Sequence, residues 1–121
     1  MKVKTAELTG AALDWAVAKC EGAYAPSVDT DIDGTKRINY GGMCPEWSTD
    51  WAHGGPIIDR IKGFEFKQWL ESKPESCCEA HIHNYEGDWI QFGPTPLIAA
   101  MRCYVASKLG DEVEIPEELM Q

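Results

Sequence analysis

The segment 92–102 contains an unusually clear helix start, and this start fixes one boundary of the fold. Thr95 suits the N-cap position, where its hydroxyl accepts a bond from a backbone N–H one turn into the helix. Pro96 follows at the first helical position, where the missing N–H of proline costs nothing. We therefore predict a helix over residues 96–109. Because free N–H groups at a helix N-terminus bind anions, Pro94 and Thr95 become a candidate anion site.

Two further helices are predicted. One spans residues 9–21, because Thr9 suits an N-cap and the apolar residues that follow recur at helical spacing. These apolar residues are Leu13, Ala16, Val17 and Cys20. The other is a short helix near residues 56–61, for which Gly55 and Pro56 form a second glycine–proline start.

Alternating or apolar stretches predict short strands between these helices. They cover residues 1–6, 36–40, 64–69, 77–83, 89–92 and 113–115, with a hairpin turn at 84–88. Strands and helices are interleaved without a regular βαβ order. We therefore expect one α+β domain over residues 1–121, with a small antiparallel or mixed sheet packed against the two main helices.

Charge and composition exclude several classes of protein. The net charge is −9, which disfavours a role in binding duplex nucleic acid, because neutralising phosphates requires clustered Lys and Arg. No apolar run approaches the roughly 20 residues needed to span a bilayer, and no apolar signal core follows the N-terminus. The five cysteines show no repeated spacing, as in a reducing compartment. We expect a cytoplasmic protein with no membrane partner.

Three aspartates before Gly34 resemble the opening of a calcium loop. They are Asp29, Asp31 and Asp33. The twelfth position of such a loop should be a bidentate Glu, but Tyr40 occupies it. A solvated turn is therefore the favoured interpretation.

Cys77, His81 and His83 form the main Cys/His cluster, and on a strand they would share a face. Cys44 or His53 could complete four zinc ligands, although the spacing matches no zinc-finger pattern. The alternative is an exposed strand face whose other side packs into the core. No nucleophile elbow, P-loop or dinucleotide fingerprint is present, so we expect a non-enzymatic protein without a cofactor.

An aromatic and glycine-rich stretch offers a candidate ligand site. Trp47 and Trp51 could stack a base, and the N–H groups of residues 55–58 and 95–98 could receive phosphates. Two arginines could clamp an anion if they face one cleft, and Asp50 or His53 could read polar edges. The candidate residues are Trp47, Asp50, Trp51, His53, Gly54, Gly55, Arg60, Pro94, Thr95 and Arg102. The alternative is that both tryptophans cover the core beneath a loop.

The chain resembles the NinX family of small accessory proteins from lambdoid phages and prophages. The resemblance is carried by residues 48–58 and 93–102, and by residues 13–18 and 107–113 near the two ends. The middle, residues 61–88, is the least similar part. The resemblance implies expression in the host bacterial cytoplasm during infection and a role dispensable for building virions. It brings no catalytic residues.

These observations favour a binder of a small anionic, nucleotide-like ligand. The binder would act as a sponge that sequesters a nucleotide-derived signal of host defence, with its site formed in a homo-oligomer. Two alternatives remain open. One is an acidic interaction module that inhibits a host protein, and the other is a metal-dependent enzyme that uses His81 and His83.

Overall fold

A computed structural model describes residues 1–22, 26–68 and 77–119. The three helices are α1 (Gly10–Cys20), α2 (Trp51–Arg60) and α3 (Pro96–Leu109). The seven strands are β1 (Lys2–Lys4), β2 (Ser27–Thr30), β3 (Lys36–Asn39), β4 (Phe64–Gln68), β5 (Cys78–Asn84), β6 (Gly87–Gly93) and β7 (Glu112–Glu114). Short 3-10 turns lie at Thr5–Glu7 and Glu117–Leu119.

Helix α3 is the centre of the core. Every residue from 99 to 106 is buried, so the helix is covered on all sides. It packs against β5 and β6 on one side and against α1 and α2 elsewhere. At 14 residues α3 is the longest helix of the described ranges, and none of the helices there is long and apolar enough to cross a membrane.

The strands form three small antiparallel sheets, and the predicted α+β class is confirmed. The largest sheet has the order β4-β5-β6, while β2 pairs with β3 and β1 pairs with β7. In the β5–β6 hairpin, Cys78 lies opposite Gly93 and Asn84 lies opposite Gly87. The predicted strand regions all contain strands, except that Trp69 lies outside the described residues.

The predicted bounds of α3 are confirmed at both ends, and Thr95 caps it as expected. The Thr95 hydroxyl accepts a bond from the Ile98 N–H at 3.1 Å. Helix α1 also begins where predicted, with Thr9 at the N-cap position, although the Thr9 side chain makes no capping bond. Local capping and apolar spacing thus located both main helices.

The predicted start of the short helix at Pro56 is wrong. Helix α2 begins at Trp51, and the Asp50 side chain caps it by accepting a bond from the Ala52 N–H at 2.9 Å. Pro56 therefore lies inside the helix. The Asp50 cap satisfies a backbone N–H of the first turn. The burial of Gly54 and Ile57 further stabilises the helical conformation, so the helix continues through Pro56.

Candidate functional site

The two tryptophans of the predicted site do not form one stacking platform. Trp47 is only 6% exposed, and its ring packs edge-on against Tyr40 at 5.6 Å between centroids. Trp51 is 52% exposed and packs edge-on against Phe66 at 6.3 Å. Trp47 is therefore a core residue, as the alternative interpretation held, and it offers no open face to a base.

The start of α3 retains little anion-binding capacity. Pro96 has no N–H, and the Ile98 N–H donates to the Thr95 hydroxyl. Of the first three helical residues, Leu97 alone therefore keeps a backbone N–H that could donate to an anion. Thr95 and Trp51 do border a common cleft of about 180 Å³. It is lined by Ser48, Thr49, Trp51, Thr95, Leu97 and Ile98.

The residues predicted from α2 mainly shape that helix. The N–H groups of residues 55–58 lie inside α2 rather than at its start, so they are not free donors for phosphate. A Cβ on Gly54 would lie 2.4 Å from the Trp47 carbonyl oxygen, so this glycine permits a close packing contact. His53 Nδ1 accepts a bond from the Glu46 N–H at 3.0 Å, while Asp50 is the cap.

Arg102 is a structural residue and does not face a cleft with Arg60. It is 7% exposed. Its Nε donates to the Leu8 carbonyl at 2.8 Å and its Nη1 donates to the Phe92 carbonyl at 2.7 Å. Burial lowers the pKa of its guanidinium. The expectation that the two arginines clamp one anion is therefore wrong, because Arg102 ties α3 to the segment before α1 and to β6.

A larger cleft of about 290 Å³ lies between α2, the β5–β6 turn and the C-terminal half of α3. We call it the α2–α3 cleft. Its lining residues are Ile57, Arg60, Ile61, Lys62, Ile82, Asn84, Tyr85, Glu86, Trp89, Tyr104, Ser107 and Lys108. Among the residues of the sequence-predicted site, Arg60 lines this cleft and the others do not.

The α2–α3 cleft combines cations with aromatic rings. Arg60 pairs with the Glu21 carboxylate at 2.7 Å, and the Tyr104 hydroxyl donates to the same carboxylate at 2.6 Å. Burial and this hydrogen bond raise the pKa of Tyr104 well above its ordinary value. In the described part of the chain, neither Lys62 nor Lys108 has an ion-pair partner. Their charges are therefore available to a ligand.

Aromatic side chains also line the same cleft. Tyr85, in the β5–β6 turn, is 94% exposed. Trp89 is half-buried, and an added Cβ on Gly87 would lie 2.9 Å from its ring, which shows that the indole packs closely on the glycine. Tyr104 is buried beneath. The arrangement can take a planar group against rings and a negative group against lysines.

The histidine cluster predicted from the sequence forms with a different third member. His81 Nε2 lies 2.5 Å and His83 Nδ1 lies 3.0 Å from Asp88 Oδ1. Hydrogen bonds from the two rings lower the pKa of the Asp88 carboxyl. Cys77 lies instead beside Cys78 and the Pro94 carbonyl. Neither Cys44 nor His53 belongs to the one group with metal-ligand spacing found among the described residues.

Of the three aspartates before Gly34, Asp29 lies on β2, while Asp31 and Asp33 lie in the turn between β2 and β3, as the favoured interpretation of a turn held. Asp31 pairs with Arg37 Nε at 3.0 Å, and Asp33 accepts a bond from the Thr35 N–H at 3.0 Å. Asp29 accepts a bond from the Asn39 amide at 3.1 Å. Each carboxylate therefore has its own local partner on the β2–β3 hairpin.

Sequence reasoning missed most of the α2–α3 cleft and also Asp88. Lys62, Tyr85 and Lys108 are separated by more than twenty residues from one another and belong to no motif. For Asp88 a signal existed, since the predicted hairpin around residues 84–88 brings this residue close to His83. Extending β6 back to Gly87 pairs the two directly.

Comparison with known proteins agrees with the sequence resemblance. A model of the family described as Bacteriophage P22, NinX, matches residues 4–108. The chain belongs to this family. The NinX match includes all three helices almost to the end of α3, and therefore every residue of the α2–α3 cleft and of the histidine cluster. None of the curated proteins matches the chain.

Proposed function

We propose that this phage protein binds a small anionic ligand with a planar ring in the α2–α3 cleft and does not transform it. The observation that carries the proposal is the convergence of Arg60, Lys62 and Lys108 with aromatic rings in one cleft. These residues come from the end of α2, the segment after it and the end of α3. The ligand class is the one expected from the sequence, but the site is the α2–α3 cleft rather than the tryptophans and helix starts predicted there.

Charge supports an anionic ligand. The whole chain has a net charge of −9, yet three of its eleven Lys and Arg residues line this cleft. One carboxylate, that of Glu86, shares the lining, and Glu21 neutralises Arg60. The two lysines without ion-pair partners therefore supply the attraction for a phosphate or carboxylate.

Size and ring content support a nucleotide-like ligand. Stacking on an aromatic side chain contributes about 1–3 kcal/mol per base, and Tyr85 and Trp89 offer such surfaces. The volume of about 290 Å³ is near the lower end for small-molecule sites. It suits one nucleotide unit. A cyclic dinucleotide is larger than this volume and would also need the rim of the cleft in a second copy of the chain. Binding of such a ligand would therefore require a homo-oligomer.

The lining also favours binding over catalysis. Among the described residues its lining contains no histidine and no cysteine, and its serine hydroxyl, Ser107 Oγ, donates to the Tyr104 carbonyl at 2.7 Å. Among the described lining residues, Ser107 therefore has no histidine beside it that could activate its hydroxyl as a nucleophile. A phage protein that holds a nucleotide-derived signal without converting it would lower the free concentration of that signal and so act as a sponge against host defence.

Calorimetric titration with nucleoside monophosphates, cyclic mononucleotides, cyclic dinucleotides and ADP-ribose tests this proposal. We expect one class of these ligands to bind. Lys62→Ala and Lys108→Ala should each lower the affinity and also make the affinity less dependent on salt concentration. Lys4→Ala is the matched control, since this exposed lysine on β1 does not line the cleft. Absence of heat and of a thermal shift with every compound would remove the proposal.

The same titration separates the two clefts. If Trp51→Ala abolishes binding while Lys108→Ala leaves it unchanged, the ligand belongs to the smaller cleft at the start of α3. The reverse pattern supports the α2–α3 cleft. The first result would assign the ligand to Trp51, a residue of the sequence-predicted site, and the second to a cleft in which Arg60 is the predicted residue.

A second candidate function is docking on a host protein. Ile90 and Phe92 are 49% and 44% exposed and alternate along β6, so they form an apolar patch on the outer face of the sheet. Purification from infected cells that recovers one stoichiometric host protein, and loses it with Phe92→Ser, would favour this function over ligand retention.

A further inference from the structure

We propose that His81, His83 and Asp88 form a binding site for a divalent first-row transition metal, for which Zn²⁺ is the experimental probe. The site lies on the outer face of the β4-β5-β6 sheet and shares no residue with the α2–α3 cleft. It is therefore independent of the proposed function.

Strand register brings the three side chains together. His81 and His83 are two residues apart on β5, so they point to the same side of the sheet. Asp88 is the direct partner of His83 on β6. Seven consecutive residue pairs join the two strands, so the ligands are held on a regular hairpin rather than on a loop.

The distances suit a single ion. One potential ligand atom from each residue lies within 4.8 Å of the other two. Metal–ligand bonds of 2.0–2.2 Å in a tetrahedral arrangement separate neighbouring ligand atoms by about 3.3–3.6 Å. The distances of 2.5 Å and 3.0 Å from Asp88 Oδ1 to the two ring nitrogens need to open by only about an ångström.

The donor set selects the class of metal. Two imidazoles and one carboxylate suit Zn²⁺, Co²⁺, Ni²⁺ and Cu²⁺, whereas Ca²⁺ and Mg²⁺ prefer oxygen ligands alone. The side chains of His83 and Asp88 are 71% and 58% exposed, which leaves the outer coordination positions open to water. Three protein ligands with an open position resemble catalytic rather than structural zinc sites.

Neighbouring carboxylates favour a cation on this face. Glu65 is the direct partner of His81 on β4, and Glu79 is two residues before His81 on β5, so both lie on the same face of the sheet. Lys67, opposite Glu79, is the basic residue among these paired positions. The local charge is therefore negative when the histidines are neutral.

Titration of the full-length protein with Zn²⁺, in a buffer that keeps the cysteines reduced, tests the site. We expect one equivalent to bind and the ring nitrogen signals of His81 and His83 to shift in NMR spectra, while those of His53 stay in place. His53 is the natural internal control, because its Nδ1 accepts a backbone bond elsewhere in the chain.

Variants supply the second readout. His83→Ala and Asp88→Asn should each weaken Zn²⁺ binding about 100-fold or more, since removal of even an outer-shell partner typically costs 10- to 100-fold. Glu112→Gln, an exposed carboxylate on β7, should leave the affinity unchanged. Both ligand positions are exposed, and circular dichroism without metal verifies that each variant folds.

Co²⁺ distinguishes this site from a thiolate site at Cys77 and Cys78, whose sulfur atoms lie 3.7 Å apart. Nitrogen and oxygen ligation gives visible d–d bands without the strong near-ultraviolet band of a thiolate–cobalt bond. A thiolate band that disappears in Cys77→Ser would overturn the proposal. Unmoved signals of His81 and His83 at saturating Zn²⁺ would also overturn it.

Discussion

The buried carboxylate of Asp14 shows how one residue's environment decides its role. Asp14 lies on α1 and is 7% exposed. Its Oδ1 accepts a bond from the Ser48 N–H at 2.9 Å and so fixes the turn that leads into α2. Burial raises the pKa of this carboxyl to about 6, and the hydrogen bond from Ser48 only partly opposes that rise.

This raised pKa predicts a pH-dependent contribution to stability. Between about pH 4 and 6 the folded protein holds a proton on Asp14 that the unfolded chain does not, so the contribution grows as pH falls. A difference of about two pKa units corresponds to about 3 kcal/mol. We expect the wild type to gain up to this amount relative to Asp14→Asn between about pH 8 and 4.

Urea unfolding of both proteins at several pH values measures this effect. The variant is a matched control, because asparagine keeps an oxygen that can accept the Ser48 bond and all other titrating groups are shared. A difference in the free energy of unfolding that stays constant across the range would contradict the assignment to Asp14.

At the scale of elements, α2 shows how a helix tolerates residues that usually end one. It contains Gly54, Gly55 and Pro56 in succession. The Asp50 cap and the burial of Gly54 and Ile57 stabilise it despite the lost hydrogen bond at the proline. Packing against α3 therefore outweighs the low helix propensity of this segment.

The two adjacent glycines of α2 are expected to respond oppositely to alanine. A Cβ on Gly54 would lie 2.4 Å from the Trp47 carbonyl oxygen and 2.6 Å from Leu97 Cδ1, so Gly54→Ala should destabilise by about 1–3 kcal/mol. At Gly55 the nearest atom is Trp51 Cε3 at 3.9 Å. Gly55→Ala should therefore stabilise by about 0.5–1 kcal/mol through helix propensity.

Thermal and urea unfolding of the two variants tests this difference. Each variant serves as the control for the other, because both make the same substitution in neighbouring positions of one helix. Equal effects of the two substitutions would show that the close contact of Gly54 with Trp47 does not constrain the packing.

At the scale of the whole molecule, the first and the last strand of the described residues are joined. β1 pairs with β7, and Val3 lies opposite Val113. The Ile115 N–H donates to the Met1 carbonyl, and the Thr5 hydroxyl donates to the Gly110 carbonyl at 2.7 Å. The NinX match ends at residue 108, so β7 lies beyond it and still completes the core.

Removal of β7 is expected to destabilise the whole fold. A chain that ends at Gly110 loses Val113 and Ile115, which are 6% and 1% exposed. Burying two aliphatic side chains contributes about 3–6 kcal/mol in total, so the urea midpoint should fall clearly. A chain that ends at Ile115 is the control and should retain most of the stability. Equal midpoints for the two chains would show that β7 contributes little.

The sequence by itself determined most of the elements and the family. Thr95 and Pro96 located the start of α3, and alternation located every strand except β2, because capping and periodicity act over about four residues of chain. The same reasoning misplaced the start of α2, since Asp50 rather than the glycine–proline pair provides its cap. When one segment contains two possible helix starts, as here, local patterns do not show which of them the helix uses.

Only the tertiary structure decided which side chains meet. Arg60 and Lys108 both line the α2–α3 cleft, whereas Arg102 is buried in the core, although Arg60 and Arg102 each follow a glycine–proline pair in the sequence. Asp88 joins His81 and His83 through strand register. The convergence in the cleft depends on how elements pack across long stretches of chain, and no local pattern encodes that geometry, whereas the pairing of Asp88 with His83 follows from a single hairpin. The clear helix start that dominates the sequence is a structural cap, and the candidate sites lie where separate elements meet.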